Sequence, residues 1–399
     1  MRKVDYLILG NGIAGHAAAK EIRKADAEGS ILIISEESKH TYFRINLTDY
    51  MGKGYDVEKS YVNAPEWFEE QHIEVLLNTK ISSIDGERHV VKVENGVEFE
   101  GRKILVALGA HPFVPPIPGA EQEGVFAMRT LEDVDAFRAY AEGKKNLVVL
   151  GGGLLGLEAA ESGKELGMNV TVVESFDYVL GRQLDRELGM QLNEELEAMG
   201  IHVAAGKNTK EFTGDGTVDG VLLADGTRID ADMVLISAGV RPNLDVLKDS
   251  GLECKKGLVV NEHLETNVEG IYGAGDIVEF QGMTLGLWTA SMEMGKIAGK
   301  NMVGKEEATY EQPKLFTSLE IGDINIFSVG RVSDYDGMYR YDEGKDHHRI
   351  FLEGDRVVGG VLCGNTKKKN NIKRLVFDHC AVEEIEGTEI PFCRCEVLE

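Results

Sequence analysis

The sequence predicts an α/β protein with two Rossmann-like dinucleotide-binding domains and a small α+β C-terminal domain. Three observations carry this. The pattern G-x-G-x-x-G follows a strand-like apolar run twice, at Gly10, Gly12 and Gly15 and again at Gly151, Gly153 and Gly156. Each copy opens a helix-like stretch and is followed by a second apolar run that ends in an acid. After residue 314 the chain changes character, and "LFTSLEIGDINIFSVGRV" alternates polar and apolar residues as a half-buried antiparallel sheet does.

With 399 residues the chain is too long for one ordinary core, so two or three domains are expected. Apolar residues make up 43%, and 47 glycines against 8 prolines suit an α/β protein with many tight turns. The formal net charge of −25 would repel DNA and anionic membrane surfaces. A nucleotide held by such a chain must be bound through backbone N–H groups and helix N-termini. Met1-Arg2-Lys3 leads straight into "VDYLILGNGIAG" with no targeting segment, and no apolar run approaches the roughly 18 residues of a membrane span. Five cysteines, few and odd in number, fit reduced thiols. The expectation is a soluble cytoplasmic protein.

In the first copy, strand-like Tyr6–Leu9 runs into the glycines, which serve a tight turn, a close backbone approach to pyrophosphate and close helix–strand packing. The run "ILIIS" (31–35) then ends at Glu36-Glu37, where an acid would bind ribose hydroxyls. A glycine turn alone also joins strands to helices without a ligand; the flanking strand, helix and acid make binding the better reading. In the second copy, "VTVVE" closes on Glu174, 23 residues after Gly151. A carboxylate there accepts from a free 2′-hydroxyl and repels a 2′-phosphate, and the next arginine is only Arg182, so NADH is favoured over NADPH. A third feature, "LETNVEGIYGAGDIVEF" (264–280), puts Asp276 at a strand end. It suits a polyol chain there, and equally an ordinary turn or N-cap aspartate.

Taken together, these segments resemble the FAD-dependent pyridine nucleotide–disulfide oxidoreductase superfamily, whose fold is of the glutathione-reductase type. The resemblance implies that the first glycine turn binds the ADP half of FAD, the second binds NADH, and Asp276 holds the flavin ribityl chain. Two linkers, "ILVALGAHPFVPPIPG" (104–119) and "MVLISAGVRPNLD" (233–245), look like the family's domain crossings and bring Ala107, Gly109 and Gly239 to the cofactor. The implied FAD domain comprises 1–112 and 244–314, the inserted NAD domain 113–243, and the C-terminal domain 315–399.

Disulfide reductases of this superfamily carry CxxxxC beside the flavin, and several relatives carry a single cysteine there. Residues 35–60 contain none, which argues against thiol relay, since a thiolate must touch the flavin to take its electrons. The segment instead resembles the Y-x-R-x-x-L of ferredoxin- and rubredoxin-type reductases, matched by Tyr42, Arg44 and Leu47. Arg44 would then meet the FAD pyrophosphate or flavin edge, where a guanidinium pairs in bidentate fashion; the plainer reading is a surface arginine paired with Glu36 or Glu37. Many ferredoxin-type members follow that leucine with Ser-Lys. Thr48-Asp49 here looks more like NADH:rubredoxin reductases of the clostridial type, or the flavin domain of assimilatory nitrite reductases.

The resemblance implies hydride transfer from NADH to FAD and onward release of electrons to an outside metal centre, with the cofactor carrying the chemistry. Glu158 matches the family glutamate that approaches the nicotinamide amide, against an ordinary first-turn helix acid. Trp288 matches a tryptophan near the ring-stacking face, against a buried core tryptophan. The implied acceptor is a small acidic carrier such as rubredoxin or ferredoxin. The run "NTKKKNNIKR" (365–374) gathers Lys367, Lys368, Lys369, Lys373 and Arg374 without one acid, and is either a solvated face or the patch that docks the carrier. Cys380, Cys393 and Cys395 lack paired CxxC spacing, so no structural metal is expected. An electron-feeding subunit of a nitrite-reductase-like complex, and an oxidase using oxygen, remain alternatives. Monomer and homodimer both stay open.

Overall fold

A computed structural model describes residues 1–305 and 307–395. The elements that frame the site begin with β1 (Arg2–Leu9), α1 (Ile13–Ala25), β2 (Ile31–Ile34), α2 (Leu47–Lys53), β3 (Ile73–Leu76) and β4 (Glu98–Val106). They continue with β5 (Val125–Ala127), β6 (Asn146–Leu150), α3 (Leu154–Glu165), β7 (Asn169–Val173), α4 (Arg186–Ala198) and β8 (Ile201–Ala204). The last are β9 (Met233–Ile236), β10 (Ile271–Gly273), α5 (Trp288–Val303) and α6 (Lys369–Phe377).

The chain divides into two compact units: residues 1–47, 55–113 and 239–313, and residues 48–54, 114–238 and 314–399. Segment 48–54, inside the first stretch of sequence, groups with the second unit. The C-terminal residues share that unit with 114–238, whereas the sequence suggests three separate domains.

In the first unit the parallel order is β3-β2-β1-β4, with β10 also parallel to β4. Ile8 lies opposite both Ile33 of β2 and Leu105 of β4. These strands are continuous apolar runs because both faces are covered: Leu7–Leu9 and Ile31–Ile34 are all buried. One cover is the pair α1 and α5, which approach closely because their facing residues are small. A Cβ added at Gly295 would fall 2.2 Å from the Ala14 carbonyl oxygen, and one at Gly299 would fall 2.7 Å from that of Ala18.

The second unit repeats the plan, with parallel order β8-β7-β6-β9-β5. Its C-terminal part is a six-stranded antiparallel sheet that opens with the hairpin Phe316–Ile321 and Ile324–Gly330. Ile372, Leu375 and Val376 of α6 join Phe327, Ile350 and Leu362 of that sheet in one apolar cluster. The mixed α/β architecture, with its β-rich C-terminal part, agrees with the fold class expected from the sequence. Among the described residues no helix is long and apolar enough to cross a membrane.

Candidate functional site

The three glycines of the first turn are set apart by what surrounds them. Gly10 adopts φ +112°, and a Cβ there would lie 2.2 Å from the Ala107 carbonyl oxygen; one at Gly15 would lie 2.1 Å from that of Gly10. Real Cβ atoms do not approach this closely, so strand and helix packing demands both glycines. Gly12 differs. A Cβ there meets nothing within 4 Å. Gly12 caps α1 without a side-chain hydrogen bond, and no acid occupies the first turn of that helix. The positive end of the helix therefore faces open space, an arrangement that favours an anion.

Asn11, whose neutral amide gives no signal in the sequence, lies between these glycines and is only 7% exposed. Its Oδ1 accepts from Thr41 Oγ1 at 2.8 Å, while its Nδ2 has no partner among the described residues. An unmatched buried donor costs about 1–3 kcal/mol. A phosphate oxygen at the open turn would relieve that cost, so the residues present fit a dinucleotide.

Around this turn the same unit assembles the other predicted residues. Glu37 accepts from the Tyr42 hydroxyl and from Arg44 Nη2, both at 2.6 Å, while Glu36 stays exposed. Arg44 does pair with Glu37, as the plainer reading had it, yet its side chain is only 18% exposed. Burial works against its charge, but Glu37, Tyr42 and Asp276 outweigh it and hold the guanidinium above its ordinary range. Asp276 follows β10, and its Oδ1 accepts from Ser291 Oγ of α5 at 2.9 Å. Trp288, the first residue of α5, is half-buried, with its ring 6.0 Å from that of Phe43, so it is not a core tryptophan. Ala107 is buried, and Gly109 and Gly239 take φ of +66° and +91°. At the crossings, Phe113 N–H donates to the Gly239 carbonyl at 2.8 Å, and Ala110–Pro112 pairs antiparallel with Val240–Pro242.

The second turn repeats the division of labour. A Cβ at Gly151 (φ +116°) would fall 2.4 Å from the Ser237 carbonyl oxygen, and one at Gly156 would fall 2.0 Å from that of Gly151. Gly153 again meets nothing within 4 Å and caps α3 with no side-chain bond and no first-turn acid. Glu174, just past β7, leans onto this turn: Oε2 accepts from Gly152 N–H at 2.7 Å, and Oε1 accepts from Phe176 N–H at 2.9 Å.

Glu158 lies in the second turn of α3, which corrects the alternative of a first-turn acid serving the helix dipole. It is half-buried, and its Oε2 accepts from Thr48 Oγ1 at 3.0 Å. Ser162 Oγ in turn donates to the Thr48 carbonyl at 2.7 Å, so α3 grips Thr48 at two points. Burial pushes the Glu158 carboxyl pKa up, and the charges of Asp49 and Glu161 add to the rise against the lowering effect of the Thr48 hydroxyl. The contact of Thr48 with Glu158 gives no signal in the sequence, because the two lie 110 residues apart.

The basic run 367–374 is less bare than its sequence. Lys368 pairs with Glu389, Arg374 with Glu384 at 2.8 Å, and Lys373 Nζ lies 4.5 Å above the Phe316 ring. Lys367 and Lys369 are exposed. Cys380 is buried and Cys393 exposed, while the Cys395 side chain lies outside the described residues.

Residues 4–295 match the family model for pyridine nucleotide-disulphide oxidoreductases, and residues 316–379 match that for the rubredoxin NAD+ reductase C-terminal domain. The chain is 33% identical over 395 residues to nitrite reductase [NAD(P)H] of Bacillus subtilis, covering 98% of this chain and 49% of that protein. It is also 33% identical to an NADH oxidase of Methanocaldococcus jannaschii, covering 97% of this chain and 94% of that one. The crystal structure of NADH:rubredoxin oxidoreductase from Clostridium acetobutylicum superposes with a TM-score of 0.85 at 26% identity, covering 95% and 96% of the two chains. The chain spans about half the length of the first curated relatives it matches.

Proposed function

The chain belongs to the pyridine nucleotide-disulphide oxidoreductase family, and on that premise we propose that it is an NADH-dependent flavoprotein that hands electrons to a small external carrier. FAD and NADH would supply the hydride and electron chemistry when bound. In the first unit, Gly12, Asn11 and the N-terminus of α1 hold the FAD pyrophosphate. The exposed Glu36 takes the adenosine ribose, since Glu37 is occupied with Tyr42 and Arg44. Arg44 meets the pyrophosphate or flavin edge, Asp276 takes the ribityl chain, and Ala107, Gly109, Gly239 and Trp288 line the remainder. In the second unit, Gly153 and the N-terminus of α3 hold the NADH pyrophosphate. Glu174 accepts from the ribose hydroxyls and disfavours NADPH, and Glu158 binds the nicotinamide amide.

The observation that carries this reading is the pair of turns in which the outer glycines are sterically obligatory and the middle one opens on free space. Because residues 35–60 lack cysteine, the reading routes electrons outward rather than through a thiol. Likeness to the clostridial rubredoxin reductase, and the matched C-terminal domain, support a rubredoxin- or ferredoxin-type acceptor. Lys367 and Lys369 are the members of the basic run best suited to steer such an acidic carrier. The test is stopped-flow reduction by NADH followed by mixing with rubredoxin or ferredoxin. Carrier reduction should slow in a K367E/K369E double variant, most at low salt, while NADH–ferricyanide turnover holds. Equal loss in both assays would remove the docking role.

A second reading follows from the identity to nitrite reductase: the chain feeds electrons to an attached nitrite-reducing module. Copurification with such a module would favour it. Oxygen uptake matching NADH loss would instead favour an oxidase like the methanogen relative.

A further inference from the structure

The loop after β7 presents an aromatic side chain that the fold does not use. Phe176 is 57% exposed, yet its backbone is fixed on both sides. Its N–H donates to Glu174 Oε1 at 2.9 Å, and its carbonyl accepts from Gly206 N–H at 2.7 Å. Lys207 N–H closes the same junction on the Glu174 carbonyl at 2.9 Å. The loop is further tied down by Asp177, which accepts from Arg186 at 2.5 Å, and by Tyr178, whose ring lies against Gly189 of α4. A Cβ added at Gly181 would sit 3.5 Å from Phe176 Cγ, so Gly181 lies at van der Waals distance from the base of the ring.

We propose that Phe176 is the stacking platform for the adenine of the pyridine nucleotide, which rests on the reading of Glu174 as the ribose acceptor. Glu174 Oε1 accepts from the Phe176 N–H and from Ser175 Oγ at 3.0 Å, while Oε2 accepts, among the described residues, from the Gly152 N–H alone and keeps a lone pair for a ribose hydroxyl. Ribose and the Phe176 backbone thus flank one carboxylate, and the base, attached beside the 2′-hydroxyl, falls within reach of the ring. A rigid loop holds the aromatic face ready, so little ordering is lost on stacking. The adenosine half then contributes affinity, while the nicotinamide half reacts elsewhere.

Stacking of a base on an aromatic side chain corresponds to roughly a 5- to 100-fold change in affinity on truncation to alanine. F176A should raise the KM for NADH and the Ki of the competitive inhibitor ADP-ribose by the same factor in that range. The ratio of kcat/KM for NADH over reduced nicotinamide mononucleotide, which lacks the adenosine half, should fall by that factor, and F176W should restore it. An unchanged ADP-ribose Ki in F176A would make Phe176 a merely exposed apolar residue and overturn the proposal. So would equal loss with dinucleotide and mononucleotide, which would mark a damaged loop. If the unsubstituted protein fails to oxidise NADH at all, the underlying reading fails first, an outcome distinct from both.

Discussion

A methyl group placed on each glycine of the first turn should separate folding from binding. At Gly10 it must tolerate φ +112° and a carbonyl oxygen 2.2 Å away; at Gly15 the nearest carbonyl oxygen is 2.1 Å away. Strained backbone costs on the order of 1–3 kcal/mol and overpacking a further ~1–3 kcal/mol. G10A should therefore lose about 2–6 kcal/mol, a large part of the roughly 5–15 kcal/mol that stabilises a domain. Gly12 has φ −78° and an empty surrounding, so G12A changes stability by only about 1 kcal/mol. On the proposed reading its methyl stands where the phosphates approach, and G12V fills more of that space. Thermal unfolding of the cofactor-free proteins, paired with FAD titration by flavin absorbance, reads both effects. G12V should unfold near the parent temperature and bind FAD at least about tenfold more weakly, equivalent to ~1.4 kcal/mol. Parent-like FAD affinity in G12V, or parent-like stability in G10A and G15A, would refute the assignment of roles.

Other perturbations have equally defined outcomes. T48V removes the hydroxyl that donates to Glu158 and should lower kcat/KM for NADH about tenfold, since a hydrogen bond to a charged group contributes ~1.5–3 kcal/mol; T48S should restore it. The same change should move the Glu158 ionisation higher, visible as an alkaline shift in the pH profile of kcat/KM. Arg349 is 1% exposed and faces Asp342 at 2.8 Å, Glu187 at 3.3 Å and Asp185 at 3.8 Å. R349M leaves the buried Asp185 without its cation and should cost about 3–5 kcal/mol in thermal or denaturant unfolding. Burial opposes the Asp342 charge, but hydrogen bonds from Arg349, His347 and Arg340 pull its pKa down to about 2. A depressed carboxylate pKa stabilises the fold above the unfolded value near 4 and loses that contribution as pH falls towards 2. D342N should therefore flatten stability against pH in that acid window, and an unaltered slope would exclude Asp342 as its source.

Spacing makes much of this legible in the sequence. The glycine turns are readable because each strand–turn–helix geometry admits few residues at three fixed positions, and Asp276 because it lies in the turn just after a strand within a recognisable run. Contacts across long sequence separations were not readable. Nothing local links Thr48 to Glu158, and nothing in Glu36-Glu37 tells which acid Tyr42 and Arg44 occupy. The basic run looked free of acids because Glu384 and Glu389, which neutralise Arg374 and Lys368, come from the turn that follows. Segment 48–54 joins the second unit through Thr48 and Ser162, and through Arg138, whose Nη1 donates to the Met51 carbonyl at 2.7 Å. No local pattern announces that.

The central claim is that NADH reduces the flavin with no thiol relay behind it. An anaerobic titration of the FAD-loaded protein with NADH, repeated on protein whose cysteines have been reduced, alkylated and freed of reductant, tests it most directly. The account predicts that about one NADH per flavin completes the bleaching of the flavin band, with the same endpoint after alkylation. Uptake of a second equivalent, abolished by alkylation, would reveal a redox-active disulfide and contradict the account.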